Sequence, residues 1–164
     1  MTPIRLALGM GTVCALLTIS GFALAETTQV QAQTTSETPL AVGVTDSGSA
    51  EAQVVEAQRN GDILTIKLRF KPLVPNKTES IYSQISKDDY ENSFYVLAGN
   101  KKYLLLTDSN GKPLANPKLT LAITNSPIAG TWHGRFPAPP KEIREVSLTI
   151  PGIETLDAIS ITDK

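Results

Sequence analysis

The sequence predicts an all-β fold, an antiparallel β-sandwich of about seven or eight short strands. Three observations predict it. Past Ala50, apolar residues recur at every second position in segment after segment, which is the period of a half-buried strand. These segments are separated by turn residues such as Asn60-Gly61-Asp62, Ala98-Gly99-Asn100 and Asp108-Ser109-Asn110-Gly111, where Gly and Asn accept the positive φ of tight hairpins. No segment carries a sustained helical period of apolar residues.

The chain has 164 residues, which suits one domain and an extension. Residues 1–25 read as a secretory signal peptide. Arg5 gives a positive start, Leu6 to Ile19 is apolar, and Ala23-Leu24-Ala25 is a small-x-small cleavage site. The competing reading is an uncleaved anchor, since Leu6 to Ala25 is just long enough for a bilayer core of about 30 Å. Gly9, Gly11, Thr12, Thr18, Ser20 and Gly21 dilute that segment and favour cleavage. Cys14 is the single cysteine. It sits inside the apolar run behind a bulky Val13, so it reads as an apolar residue of the leader and not as a lipid-attachment site. The mature chain then has no thiol for a disulfide, a thiolate metal site or a nucleophile.

Residues 26–50 are rich in Thr, Gln, Ser and Glu and contain no aromatic residue. Such a segment buries too little surface to offset its ordering entropy, and it reads as a flexible linker. The sandwich domain is expected over 51–164. A weaker strand is expected over 53–58. In the next, Leu64, Ile66, Leu68 and Phe70 share one face and Thr65, Lys67, Arg69 and Lys71 the other. Strands follow at 93–97 and 102–107. The unbroken leucines 104–106 in the second of these predict a central strand covered on both faces. Residues 77–91 are the weakest stretch, where a single helical turn is possible. Further strands are expected at 119–123, 132–136 and 146–150, with a short last one at 156–161.

The segment Trp132-His133-Gly134-Arg135-Phe136 places Trp132, Gly134 and Phe136 on one face and His133 and Arg135 on the other. Pro137, Pro139 and Pro140 cannot donate to a ladder, so the strand stops there and a stiff crossover leads to Val146. The crossover reads as architecture; the competing reading is a proline-rich docking segment.

Tyr95-Val96-Leu97, Lys101 to Asp108, Gly130-Thr131-Trp132, Arg135 to Pro140 and Val146 to Pro151 together resemble a group of bacterial exported immunoglobulin-like domains of unknown function. Members of this group are sometimes found ahead of a domain like that of outer-membrane protein A. The resemblance covers roughly residues 51–164 and is most specific at Trp-x-x-x-Phe-Pro-Ala-Pro-Pro. It implies an immunoglobulin-like sandwich and export, and it brings no catalytic residue.

Little in the sequence carries reaction chemistry. His133 is the sole histidine, and one imidazole without partners is a poor transition-metal site. Asp88-Asp89-Tyr90-Glu91 is the densest acidic cluster, but calcium takes roughly six to eight oxygen ligands from converging loops. Asp108-x-Asn110-Gly111 begins like a calcium loop and lacks the distal glutamate, so it reads as a turn. Asn76-Lys77-Thr78 is a glycosylation sequon, a match frequent by chance. No basic stripe suited to nucleic acid appears, and no second apolar run approaches spanning length. No cofactor, metal or catalytic residue is expected. The candidate binding surface consists of Tyr82, Tyr90, Tyr95, His133 and Arg135, the tyrosines as a stacking platform for sugar or peptide. The expected function is non-catalytic binding of an envelope or extracellular protein by a periplasmic or secreted module. The alternatives are a structural accessory domain, or a glycan-active enzyme that would need two close carboxylates, one with a raised pKa.

Overall fold

The computed structural model describes residues 38–164. The expected signal peptide and residues 26–37 of the expected linker lie outside the described residues. The order of elements is β1 (Ala41–Val44), β2 (Ala50–Asn60), β3 (Ile63–Pro72), β4 (Lys77–Tyr82), α1 (Lys87–Asn92), β5 (Tyr95–Ala98), β6 (Lys101–Leu104), β7 (Leu119–Ile123), β8 (Gly130–Pro137), β9 (Glu145–Thr149), β10 (Leu156–Ser160) and β11 (Thr162–Asp163). The fold is all-β, with three sheets. One runs β1-β2-β3-β8, with β11 also beside β2; a second runs β10-β9-β5-β6; β4 and β7 form a two-stranded ribbon. Every pairing is antiparallel except β11 on β2. The inward residues of all three sheets meet in one apolar core. Among the described residues no helix is long and apolar enough to cross a membrane.

Alternation does what the sequence predicts in β3 and β8. Leu64, Ile66, Leu68 and Phe70 are buried, and so are Trp132, Gly134 and Phe136. Gly134 is required by its neighbour. A Cβ there would stand 2.4 Å from the Trp132 ring, so the missing side chain lets the indole lie along its own strand. The indole N–H donates to the Tyr82 hydroxyl at 2.8 Å, and that hydroxyl donates to the Asn116 carbonyl at 2.7 Å. The Tyr82 ring meets Phe94 edge-on at 5.1 Å, a geometry the ring quadrupoles favour.

Four expectations change. The ordered sheet starts at Ala41 and not after Ala50. β1 pairs with residues 51–54 of β2, and Val44 accepts from Glu154 N–H at 3.0 Å on its other side. Backbone pairing of this kind leaves no trace in a run of small residues. The leucines 104–106 do not form a central strand. β6 is an edge strand, and Leu106 has left it, donating to the Arg135 carbonyl at 2.8 Å and accepting from Leu114 N–H at 2.6 Å. The run marks the passage from the edge of one sheet to the edge of another. The weak stretch 77–91 contains a whole strand, β4, and most of a short helix, α1, where a helical turn is allowed by the sequence. Finally, the acidic cluster is helix-start chemistry. Ser86 Oγ accepts from Asp89 N–H, and the Asp89 carboxylate accepts in return from Ser86 N–H, a reciprocal cap.

Bulges account for two of the hidden features. Leu156 and Ile159 both face the core although they are an odd number of residues apart, because the β9–β10 register shifts between them and Ala158 adopts a φ of 53°. In β2 the register shifts between Val54 and Glu56. Ala50, Ala52 and Val54 point inward before the bulge, and Ala57 and Arg59 after it. An arginine thereby enters the interior at 3% exposure.

Arg59 holds the proline crossover in place. Its Nε donates to Asp163 at 2.6 Å, Nη1 to the carbonyls of Pro139 and Pro140 at 2.8 and 2.7 Å, and Nη2 to the Ile143 carbonyl at 3.2 Å. The Phe-Pro-Ala-Pro-Pro segment is thus built into the fold. The Asp163 carboxyl is held below the usual carboxylate range, first by the Arg59 hydrogen bond and then by the charges of Arg59, Arg144 and Lys141, against the opposing effect of burial.

Trp132→Ala should cost about 3–5 kcal/mol, and Gly134→Ala about 1–3 kcal/mol from overpacking, both read from urea denaturation midpoints. Arg59→Ala should cost about 2–5 kcal/mol, because it leaves the Pro139, Pro140 and Ile143 carbonyls without their donors. Asp163 titrates lower when folded, so its contribution is complete above the unfolded carboxylate value and is lost as pH falls through the folded one. Thermal melts from pH 7 down to pH 2 should therefore fall less steeply for Asp163→Asn than for the parent.

Candidate binding face

β8 pairs along its whole length with residues 63–70 of β3, with Lys67 opposite His133, Thr65 opposite Arg135 and Arg69 opposite Thr131, and Lys71 just past the end of the ladder. Their inward residues are core. Their outward residues therefore form one plane, with side chains spaced by roughly 5 Å across the pair and about 7 Å along each strand. That plane carries Lys67, Arg69, Lys71, His133 and Arg135. Lys67, Lys71, His133 and Arg135 are exposed and Arg69 is partly so.

β2 partly orders these heads. The Arg69 Nε and Nη2 both donate to Gln53 Oε1, at 3.1 and 2.7 Å, and Gln53 Nε2 donates to Glu51 at 2.6 Å. Lys67 pairs with Glu56 at 2.8 Å, a contact of little stability value because both groups are solvated. Lys71, His133 and Arg135 take part in none of the ion pairs of the described residues. The edge of β8 beyond them is closed. Asn116 Oδ1 accepts from His133 N–H at 2.8 Å, and Leu114 O accepts from Arg135 N–H at 3.0 Å. Side chains, and not a bare ladder edge, are what β8 offers a partner.

Of the five residues the sequence singles out, only His133 and Arg135 share a face. Tyr82 is a core residue at 9% exposure. Burial pushes its hydroxyl up to about 12, with the Trp132 hydrogen bond opposing. Tyr90 is half-buried and donates to the Leu105 carbonyl at 2.9 Å, tying α1 to the core. Tyr95 stands on the other large sheet, opposite Leu104 and Thr149, with Lys102 Nζ 4.3 Å from its ring centre. No tyrosine platform is assembled. What the sequence reading left out is that Lys67, Arg69 and Lys71 join His133 and Arg135. Their outward phase is legible, but their neighbour is more than sixty positions away.

Among the described residues the displaced carboxylates, Glu79, Asp108 and Asp163, all move down. Burial would raise Glu79, yet the Ser49 and Ser47 hydroxyls and Lys77 outweigh it. Asp108 is lowered by the N–H groups of Lys112 and Asn110, whose hydrogen bonds at 2.9 and 2.8 Å close the turn around it. This is the reverse of the raised carboxyl that a general acid needs. Among the described residues no three His, Cys, Asp or Glu side chains gather to hold a metal.

Tyr82 also sets an alkaline limit. Its folded value exceeds the unfolded one, so the stability it contributes is whole below about pH 10 and fades as pH rises toward its folded value. Tyr82→Phe, assayed by chemical denaturation at pH 8 and pH 11, should be less stable than the parent at pH 8 and should lose less stability between the two.

The chain matches no protein-family model, no curated protein and no solved structure.

Proposed function

We propose that the chain is an exported, non-catalytic module with an immunoglobulin-like sandwich, and that it binds an acidic surface of another envelope or extracellular protein through the outer face of β3 and β8. The observation that carries this reading is the cationic plane of Lys67, Arg69, Lys71, His133 and Arg135 on two paired strands. Flat, extended faces of this kind select partners by charge complementarity, which acts on association rate and specificity as much as on affinity. Arg135 adds a planar donor fork suited to carboxylates. Export rests on the sequence of residues 1–25. The immunoglobulin-like assignment rests on the resemblance across 51–164, and the antiparallel sheets around a shared core are consistent with it.

A photoreactive residue at position 133 in the full chain, irradiated in native envelopes, should yield a discrete protein adduct. The same residue at position 147, on the other sheet, should not. Arg135→Glu combined with Lys67→Glu should reduce the adduct at least tenfold, and raising salt should weaken it in the parent. Adducts that are equal from both positions, or indifferent to the charge reversals, would overturn the reading. Complete absence of an adduct would favour a structural accessory domain.

A further inference from the structure

A cleft of about 440 Å³ lies where three separate stretches converge, the β2–β3 turn at Gly61 and Asp62, the start of β6 at Lys101 and Tyr103, and the proline crossover 137–141. Its volume is within the range of small-molecule sites, roughly 300–1,000 Å³. It is separate from the cationic plane and is not needed by the function proposed above.

Three features point to a ligand. First, the walls are held before anything binds. Arg59 fixes the Pro139 and Pro140 carbonyls, and Ala138 N–H donates to the Asp62 carbonyl at 2.8 Å. Little ordering remains to be done on binding, which is the usual source of affinity in a preformed site. Second, the lining is cationic. Lys101 and Lys141 stand exposed, and the buried Arg59, its charge shared with Asp163 and three carbonyls, lines the cleft behind them. Asp62 is the only acid in the lining. Third, the remaining wall is largely apolar, with the exposed Pro140 and half-buried Pro137 and Ala138 in front of Tyr103, a core residue whose ring Lys101 Nζ approaches to 5.1 Å. Such flat, rigid apolar surface accepts the face of a saturated ring.

We propose that the cleft under the proline crossover binds a carboxylate-bearing ring, with a sugar acid as the fitting chemical class. The lysines take the carboxylate, and Pro137 and Pro140, with the exposed rim of Tyr103, take the apolar face of the ring.

The test is an NMR titration of the ¹⁵N-labelled full chain with D-glucuronate, D-glucose and acetate. Glucuronate should give saturable shifts confined to Gly61, Asp62, Lys101, Lys141 and their neighbours, while glucose and acetate each bind at least tenfold more weakly. Lys101→Ala with Lys141→Ala removes only exposed side chains. It should leave the denaturation midpoint in place and weaken glucuronate at least tenfold. Scattered or absent shifts, or undiminished binding to the double variant, overturn the proposal. An equal response to glucose overturns the carboxylate requirement, and an equal response to acetate overturns the ring.

Discussion

A guanidinium buried at 3% exposure would be costly to the fold if it were unpaired. Arg59 is tolerated because carbonyls and a carboxylate replace nearly all the water it loses. The partners come from far along the chain, Pro139, Pro140 and Ile143 in the crossover and Asp163 in the last strand. Only β11, two residues long, joins the end of the chain to β2 by ladder bonds. The crossover itself holds three residues without a backbone N–H, so it has few donors with which to bind anything. Its carbonyls are what it offers, and Arg59 meets them by supplying donors. Charge, geometry and burial meet at one side chain, and this end of the fold is organised around it.

The same logic of matched polar groups recurs in the interior. Trp132 and Tyr82 are large rings with a polar tip, and each tip has a partner. No buried side-chain nitrogen or oxygen among the described residues lacks one. Rings without partners would have placed unsatisfied donors in an apolar core, at a cost of about 1–3 kcal/mol each. Gly134 shows the steric side of the arrangement, since the indole occupies the space of its absent side chain. At the edges, charge takes over. Lys101 and Lys102 sit on β6, an edge strand of the second sheet, where lysine discourages pairing with another chain.

The outward faces are dictated by the inward ones. Once Leu64, Ile66, Leu68 and Phe70 are committed to the core, Lys67, Arg69 and Lys71 must face water, and the pairing with β8 brings His133 and Arg135 beside them. The proposed binding plane is therefore the reverse side of the core packing. The tyrosines are scattered for the same reason. Tyr82 is drawn inward by its position opposite Leu119 and its hydrogen bond to Trp132, whereas Tyr95 lies on a different sheet altogether.

What could be read from the chain alone is what depends on near neighbours. Period-two alternation marked β3, β7, β8 and β9 and the direction of each side chain in them, because a pleated strand turns every second residue the same way. Asn60-Gly61 and Asn110-Gly111 marked turns, because glycine reaches the positive φ found at Gly61 and Gly111. His133 and Arg135 were legible as outward for that reason. Tertiary structure alone decided the rest. β4 and β11 form through backbone pairing with distant segments, and β1 through backbone pairing with the adjacent β2, which side-chain pattern does not encode. The bulge in β2 reverses the phase of the strand's second half, so Arg59 reads from sequence as an ordinary solvated charge and becomes a buried clamp only when the sheets close. Which strands become neighbours is set by how the whole core seals. The joining of β3 to β8, and with it the candidate face, belongs to the fold and not to any stretch of the sequence.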